Sequence, residues 1–134
     1  MYADVILPLP FSDLYTYTVP VEMQNKIAKG FRVIVPFGTR KHYTAIVKRV
    51  HNNAPKNFKT KKNHYIVDSQ LVINDIQFKL WEWISFYYMS PIGDVYNAAM
   101  PSSMKSDNIK SKFKPKTESY LKIKTNIDSR LIVL

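Results

Sequence analysis

The chain has 134 residues, enough for one ordinary domain and too few for an enzyme with separate cofactor and substrate lobes. Lys and Arg number 20 against 10 Asp and Glu, and the net charge of +10 favours a polyanionic partner, either nucleic acid or an anionic membrane surface. There is no cysteine, which excludes disulfide frameworks, cysteine zinc sites and thiol nucleophiles.

Residues 2–8 (YADVILP) alternate Ala3, Val5 and Leu7 with Asp4 and Ile6, a strand pattern closed by Pro8. Residues 15–19 (YTYTV) put Tyr15, Tyr17 and Val19 on one face and Thr16 and Thr18 on the other. After Gly30, residues 31–35 form a strand with Val33 and Val35 on one side, stopped by Pro36-Phe37-Gly38. Residues 43–50 give the next strand, with Ile46 and Val50 as buried candidates, and 65–67 a short extended piece. The period then changes. Asn74 with Gln77 three positions on predicts a helix start, and the helix runs from about 75 to 88. Ile76, Leu80, Ile84 and Tyr87/Tyr88 form its stripe, widened by Trp81, Trp83 and Phe86, and helical spacing assigns these rings to the core. A second helix is expected over 94–100 and a strand over 118–124. The fold class is therefore α+β: a small β-rich, barrel-like N-terminal unit followed by a short helical segment. Residues 105–117, rich in Lys and Ser, read as a basic linker. Residues 118–134, ending in the apolar LIVL, read as the start of a following domain.

The layout of charge says more than its total. From Met23 to Val67 there is no Asp or Glu, while eleven cations occur: Lys26, Lys29, Arg32, Arg40, Lys41, Lys48, Arg49, Lys56, Lys59, Lys61 and Lys62. A one-sign stretch of this length is the footprint expected of a phosphate-binding face, although a solvated basic face has the same appearance. Aromatic residues make up 13% of the chain, and rings interleaved with cations suit single-stranded nucleic acid.

Chemistry finds little support. Gly30, Gly38 and Gly93 build no phosphate-cradling loop, and His42, His51 and His64 have no neighbouring carboxylates in sequence with which to share a metal. Asp4, Asp13 and Asp94 have no spacing that suggests a Mg²⁺ nuclease site. The opening MYADVILPLPF lacks a positive n-region, and no apolar run is long enough to span a membrane, so the expected location is cytoplasmic.

Three segments in order carry a resemblance: VILPLPF with LYTYTVP, then FRVIVPFGTRKHYTAIVKRV, then WISFYYMSPIGDVYNAAMP. Together they resemble the N-terminal 3′-DNA-end-binding domain of the PriA replication-restart helicase family (primosomal protein N′). Gly30, Val33, Val35, Pro36, Phe37 and Gly38 fit one family motif, and Tyr87, Tyr88, Pro91, Gly93, Asp94 and Val95 fit another. The resemblance covers about residues 2–104 and implies a domain over 1–104 that captures the 3′-OH terminal nucleotide of a nascent strand at stalled forks, without base specificity. It places Tyr15 against the terminal sugar or base and Thr16, by backbone or hydroxyl, on the 3′-OH or base edge. Gly38 allows close backbone approach and Lys61 pairs with a phosphate, with Arg40, Lys41, Lys59 and Lys62 as further DNA-binding cations. It implies a winged-helix-like domain from about residue 118. No ATPase motif is in this sequence, so the piece itself is expected not to be an enzyme. A parent of this family would be an ATP-dependent 3′-5′ helicase, with ATP and zinc held in other parts, and with primosome and single-strand-binding proteins as partners. The other readings are a general single-stranded DNA or RNA module, a basic domain that docks an acidic protein, and an enzyme with a converged carboxylate or histidine site.

Overall fold

The structure is a computed structural model and describes residues 1–56, 61, 65–105 and 116–122. Five strands form one antiparallel sheet: β1 (Tyr2–Ile6), β2 (Tyr15–Thr18), β3 (Arg32–Phe37), β4 (Lys41–His51) and β5 (Tyr65–Ile66), in the order β2-β1-β4-β3-β5. Two helices follow, α1 (Asp75–Tyr87) and α2 (Ile92–Ala99), and a 3-10 turn at Ser102–Lys105. The α+β class is as the alternation patterns predict. The barrel-like expectation needs correction, because the sheet curls without closing. In a flat sheet β2 and β3 would lie about 14 Å apart, three strand spacings. Yet Tyr17 in β2 donates its hydroxyl to Pro36 O in β3 at 2.9 Å. The curl leaves β2 and β5 as the edges of the sheet, and one main-chain bond among the described residues, from Thr18 N to Lys61 O at 2.9 Å, reaches across the gap.

The period-two pattern divides the apolar residues between two cores. Ala3, Val5, Leu7, Tyr17, Val19, Val33, Val35, Ala45 and Val47 pack on the concave face of the curled sheet. Ile6 and Ile46 face the other way, against Phe78, Trp81, Val95 and Tyr96 of the helices. One irregularity interrupts the pattern. Asp4 pairs with Arg49 but Val5 with Val47, so Lys48 is an extra residue in β4. This β-bulge changes the parity of the strand. It is why Val47 and Val50 both pack on the concave side, and it leaves Lys48, Arg49 and His51 on the other face.

Helix α1 starts with a full capping box: Gln77 N donates to Asn74 Oδ1 and Asn74 N to Gln77 Oε1, both at 2.9 Å. It ends in a Schellman motif. Ser90 N bonds Ser85 O, Met89 N bonds Phe86 O, and Met89 takes the left-handed φ of +50° where glycine is usual.

The inward face of α1 differs from expectation. Phe78 and Trp81 are the residues buried, with Ile84 partly so. Ile76, Leu80, Trp83, Phe86, Tyr87 and Tyr88 are exposed, Phe86 at 86%. The helix carries apolar residues nearly all round, and periodicity alone cannot say which of two stripes meets the sheet. Helix α2 starts two residues earlier than expected, since Gly93 seats its first turn on the segment that follows β1. A Cβ on Gly93 would fall 1.7 Å from Leu9 O, and Gly93 N donates to Phe11 O. Tyr96 then reaches through the core to donate its hydroxyl to Thr44 O at 2.7 Å. The strand expected over 118–124 is not formed by Glu118–Lys122, which are exposed and irregular, and positions 123 and 124 lie outside the described residues.

Candidate nucleic-acid interface

The acid-free stretch is less free than its sequence suggests. Among the described residues, acids from other parts of the chain take up four of its cations. Lys29 pairs with Asp75, Lys48 with Glu82, and Arg49 with Asp4. Arg32 makes a bidentate pair with Asp68 and also donates to Met104 O. The Asp68 bonds raise the Arg32 pKa further, against a smaller opposing effect of burial. These pairs make Arg32 and Lys48 structural. Lys26, Arg40, Lys41 and Lys56 stay exposed.

Arg40 and Lys41 sit at the tip of the β3–β4 hairpin, and other candidate residues converge there. Phe37, paired with Lys41 in register, is the last residue of β3. The Tyr15 ring stands edge-on to it, with centroids 5.4 Å apart, and Phe11 and Tyr43 complete an aromatic rim on the concave core. Gly38 follows with φ +71°, exposed, with nothing within 4 Å of a Cβ built on it. Its carbonyl accepts a 2.6 Å hydrogen bond from Lys61 Nζ. Tyr15, Gly38 and Lys61 are thus brought to one end of the curled sheet, with Arg40 and Lys41 beside them. Lys59 and Lys62 lie outside the described residues.

Thr16 stands apart from this group. Its hydroxyl points to the opposite face and donates to Asp4 Oδ1 at 2.6 Å. The main chain of Thr16 has a different orientation. Val19 N bonds Met1 O and Thr18 N bonds Lys61 O, so by antiparallel alternation the peptide groups of Thr16 and Thr18 point outward from the sheet edge. Any contact by Thr16 with a ligand at the Lys61 side is therefore a main-chain contact.

Asp4 is a feature that sequence reasoning passed over as a strand residue. It is 3% exposed and receives Thr16 Oγ1, Arg49 Nε at 2.5 Å and His51 Nε2 at 3.1 Å. Burial pushes its carboxyl up, but the bonds from Thr16, His51 and Arg49 together outweigh this and hold it below the ordinary 3.8. The only signal in the sequence was an acid at an alternating position of an otherwise apolar strand. Among the described residues no group of three His, Cys, Asp or Glu could hold a metal, and no helix is long and apolar enough to cross a membrane.

An open curled sheet with an aromatic rim and cations at one hairpin end is a surface suited to nucleic acid, and comparison with known proteins gives the class directly: a family model described as 3′DNA-binding domain (3′BD) matches residues 4–101. The chain belongs to this family, the 3′ DNA-binding domain of PriA, and is a DNA-binding domain. It is similar to the replication restart protein PriA of Buchnera aphidicola subsp. Schizaphis graminum, at 27% identity over 113 residues, covering 81% of this chain and 15% of that protein. It is likewise similar to the proteins of the same name from Haemophilus influenzae (28%, 76% of this chain and 14% of that protein) and Rickettsia conorii (28%, 82% and 16%). The chain thus spans about one sixth or less of the length of these relatives.

Proposed function

We propose that this domain captures the 3′-OH terminal nucleotide of a DNA strand without reading its base, as the DNA-binding module of a replication-restart helicase acting at stalled forks. The observation that carries the reading is the juxtaposition of the Tyr15 ring, the open Gly38 turn and the Lys61 ammonium. A ring face and a sugar hydroxyl are offered by every nucleotide, so contacts of this kind tolerate any sequence. Rejecting a strand that continues requires that the path beyond the terminal sugar be blocked, so that a further phosphate clashes. Gly38 lets the turn come within backbone distance of the sugar, Lys61 meets the first phosphate, and Thr16 contributes through its main chain. Arg40, Lys41, Lys59 and Lys62 add phosphate contacts without end discrimination. Residues 1–104 form the end-binding unit, 105–117 a basic linker, and 118–134 the start of a winged-helix-like domain. Primosome and single-strand-binding proteins are partners of the longer helicase, which supplies ATP hydrolysis and the zinc site.

The test is fluorescence anisotropy with two strands of one sequence, one ending in a 3′-OH and the other in a 3′-phosphate. A clear preference for the hydroxyl, lost in Tyr15→Ala, is the expected result. Equal affinity for both strands would replace this reading with that of a general single-strand binder.

A further inference from the structure

We propose that Arg49 is a second phosphate contact, on the opposite face of the sheet from the Tyr15 rim, and that buried Asp4 is its positioning residue. The inference rests on the DNA-binding reading but not on end capture.

Two independent features build this site. The first is the bulge in β4. If Lys48 took a regular place in the ladder, strict alternation would turn Arg49 toward the concave core, where Ala45 and Val47 point. The bulge re-aims it outward, a recurrent use of bulges beside functional sites. The second is the anchor. Arg49 uses a single donor, Nε, on Asp4 Oδ2 at 2.5 Å, and its side chain stays 68% exposed while that of Asp4 is 4% exposed. Among the described residues it has no other ion-pair partner. The two terminal nitrogens of the guanidinium therefore face solvent on a side chain whose stem is fixed, the arrangement that suits bidentate binding of phosphate oxygens. Lys48 makes the contrast. Its ammonium is paired with Glu82 and lies 4.5 Å from the Phe78 ring centroid, so it serves the α1 packing.

Neutralising Asp4 is an insufficient account of Arg49. The carboxylate already has Thr16 and His51 as partners, and one N–H of five is used on it. The position is also suitable. Thr16 and Arg49 flank Asp4 on the two neighbouring strands, about 10 Å apart across β1. A DNA strand that passes Tyr15 and Lys61 and crosses edge strand β2 at Thr16 comes onto the face that carries Arg49. The ligand class is a nucleic-acid backbone phosphate, bound without regard to base.

Arg49→Gln separates the two roles, because the Gln amide nitrogen occupies the place of Nε and keeps a donor for Asp4 while the cationic fork is lost. Affinity for both the 3′-OH and the 3′-phosphate strands should fall several-fold, and the slope of log affinity against log salt should lessen by about one phosphate contact. Asp4→Asn keeps the Arg49 charge but weakens its anchor, so affinity should fall with the slope retained. A thermal melt of each variant checks that it is folded. A folded Arg49→Gln protein with unchanged affinity and slope overturns the proposal, whatever the end preference. Equal binding of the two strands by the unmodified chain sinks end capture alone and leaves the Arg49 effect readable.

Discussion

Lys61 Nζ donates to the carbonyl oxygen of Gly38 across 23 positions of sequence, and Lys61 O accepts from Thr18 N, so one residue ties the β3–β4 turn to the β2 edge. The ammonium is exposed and is held by a neutral acceptor rather than by an acid. Among the described residues no acid pairs with it, which leaves its charge open to a phosphate.

Removing that charge should be visible in binding more than in stability. Lys61→Ala is expected to weaken DNA binding and to lessen the salt slope by about one contact, while its hydrogen bond, exposed to water, adds little to the fold. Salt titration of the variant checks this. An unchanged slope would transfer the role to a neighbouring lysine.

Gly38→Ala tests the turn in two ways. A Cβ there meets open space, but φ is +71°, and a left-handed conformation costs a non-glycine residue about 1 kcal/mol. Chemical denaturation should register that cost. If the turn approaches the terminal sugar, the methyl group should also reduce affinity for a 3′-OH end more than affinity for an internal stretch. Equal losses would make Gly38 a turn glycine and nothing more.

Met89→Gly should stabilise the chain by about 0.5–1 kcal/mol. Met89 occupies the left-handed position of the Schellman motif, is 94% exposed and has no packing to lose. A higher midpoint in urea is expected. A lower one would show that the greater freedom of glycine in the unfolded chain outweighs the strain relieved.

The two stripes of α1 should differ sharply. Phe78→Ala or Trp81→Ala removes a buried ring and should cost about 3–5 kcal/mol. Trp83→Ser and Phe86→Ser change exposed rings and should stay within about 0.5 kcal/mol. Denaturation midpoints of the four variants decide this. A large cost at Phe86 would mean that its side of the helix is covered in solution.

Acid should weaken the fold through Asp4. Its folded pKa lies below the unfolded value near 3.8, so its contribution is complete above that value and is lost as pH falls through the lower folded one. Melting temperatures followed down through about pH 2 should decline, and less steeply in Asp4→Asn. Equal declines in both proteins would assign the acid sensitivity to other carboxyls.

Much of the fold was legible because its signals are local. Alternation located β1 to β4, residues 65–67 were legible only as a short extended piece, and Asn74 with Gln77 marked the start of α1 to the residue. The inward stripe of α1 was not legible, because Ile76 and Leu80 are as apolar as Phe78 and only the sheet opposite decides between them. The free cations were not legible either, since Asp68 lies 36 positions from Arg32 and Asp4 lies 45 from Arg49. Family resemblance singled out Tyr15, Gly38 and Lys61, which the curl of the sheet does bring together. It could not show that the Thr16 hydroxyl is committed to Asp4, because that depends on cross-strand register.

The single extra residue in β4 sets the phase of everything after it. Were Lys48 paired in the ladder instead of bulged, the rest of the strand would shift by half a pleat. Val50 would then turn to solvent, and Arg49 and His51 into an apolar interior with no acid to meet them. The bulge is therefore what keeps sequence and pleat in step, and a chain shortened by Lys48 itself would reach the same faces by plain alternation, with Val47 and Val50 inward and Arg49 and His51 outward.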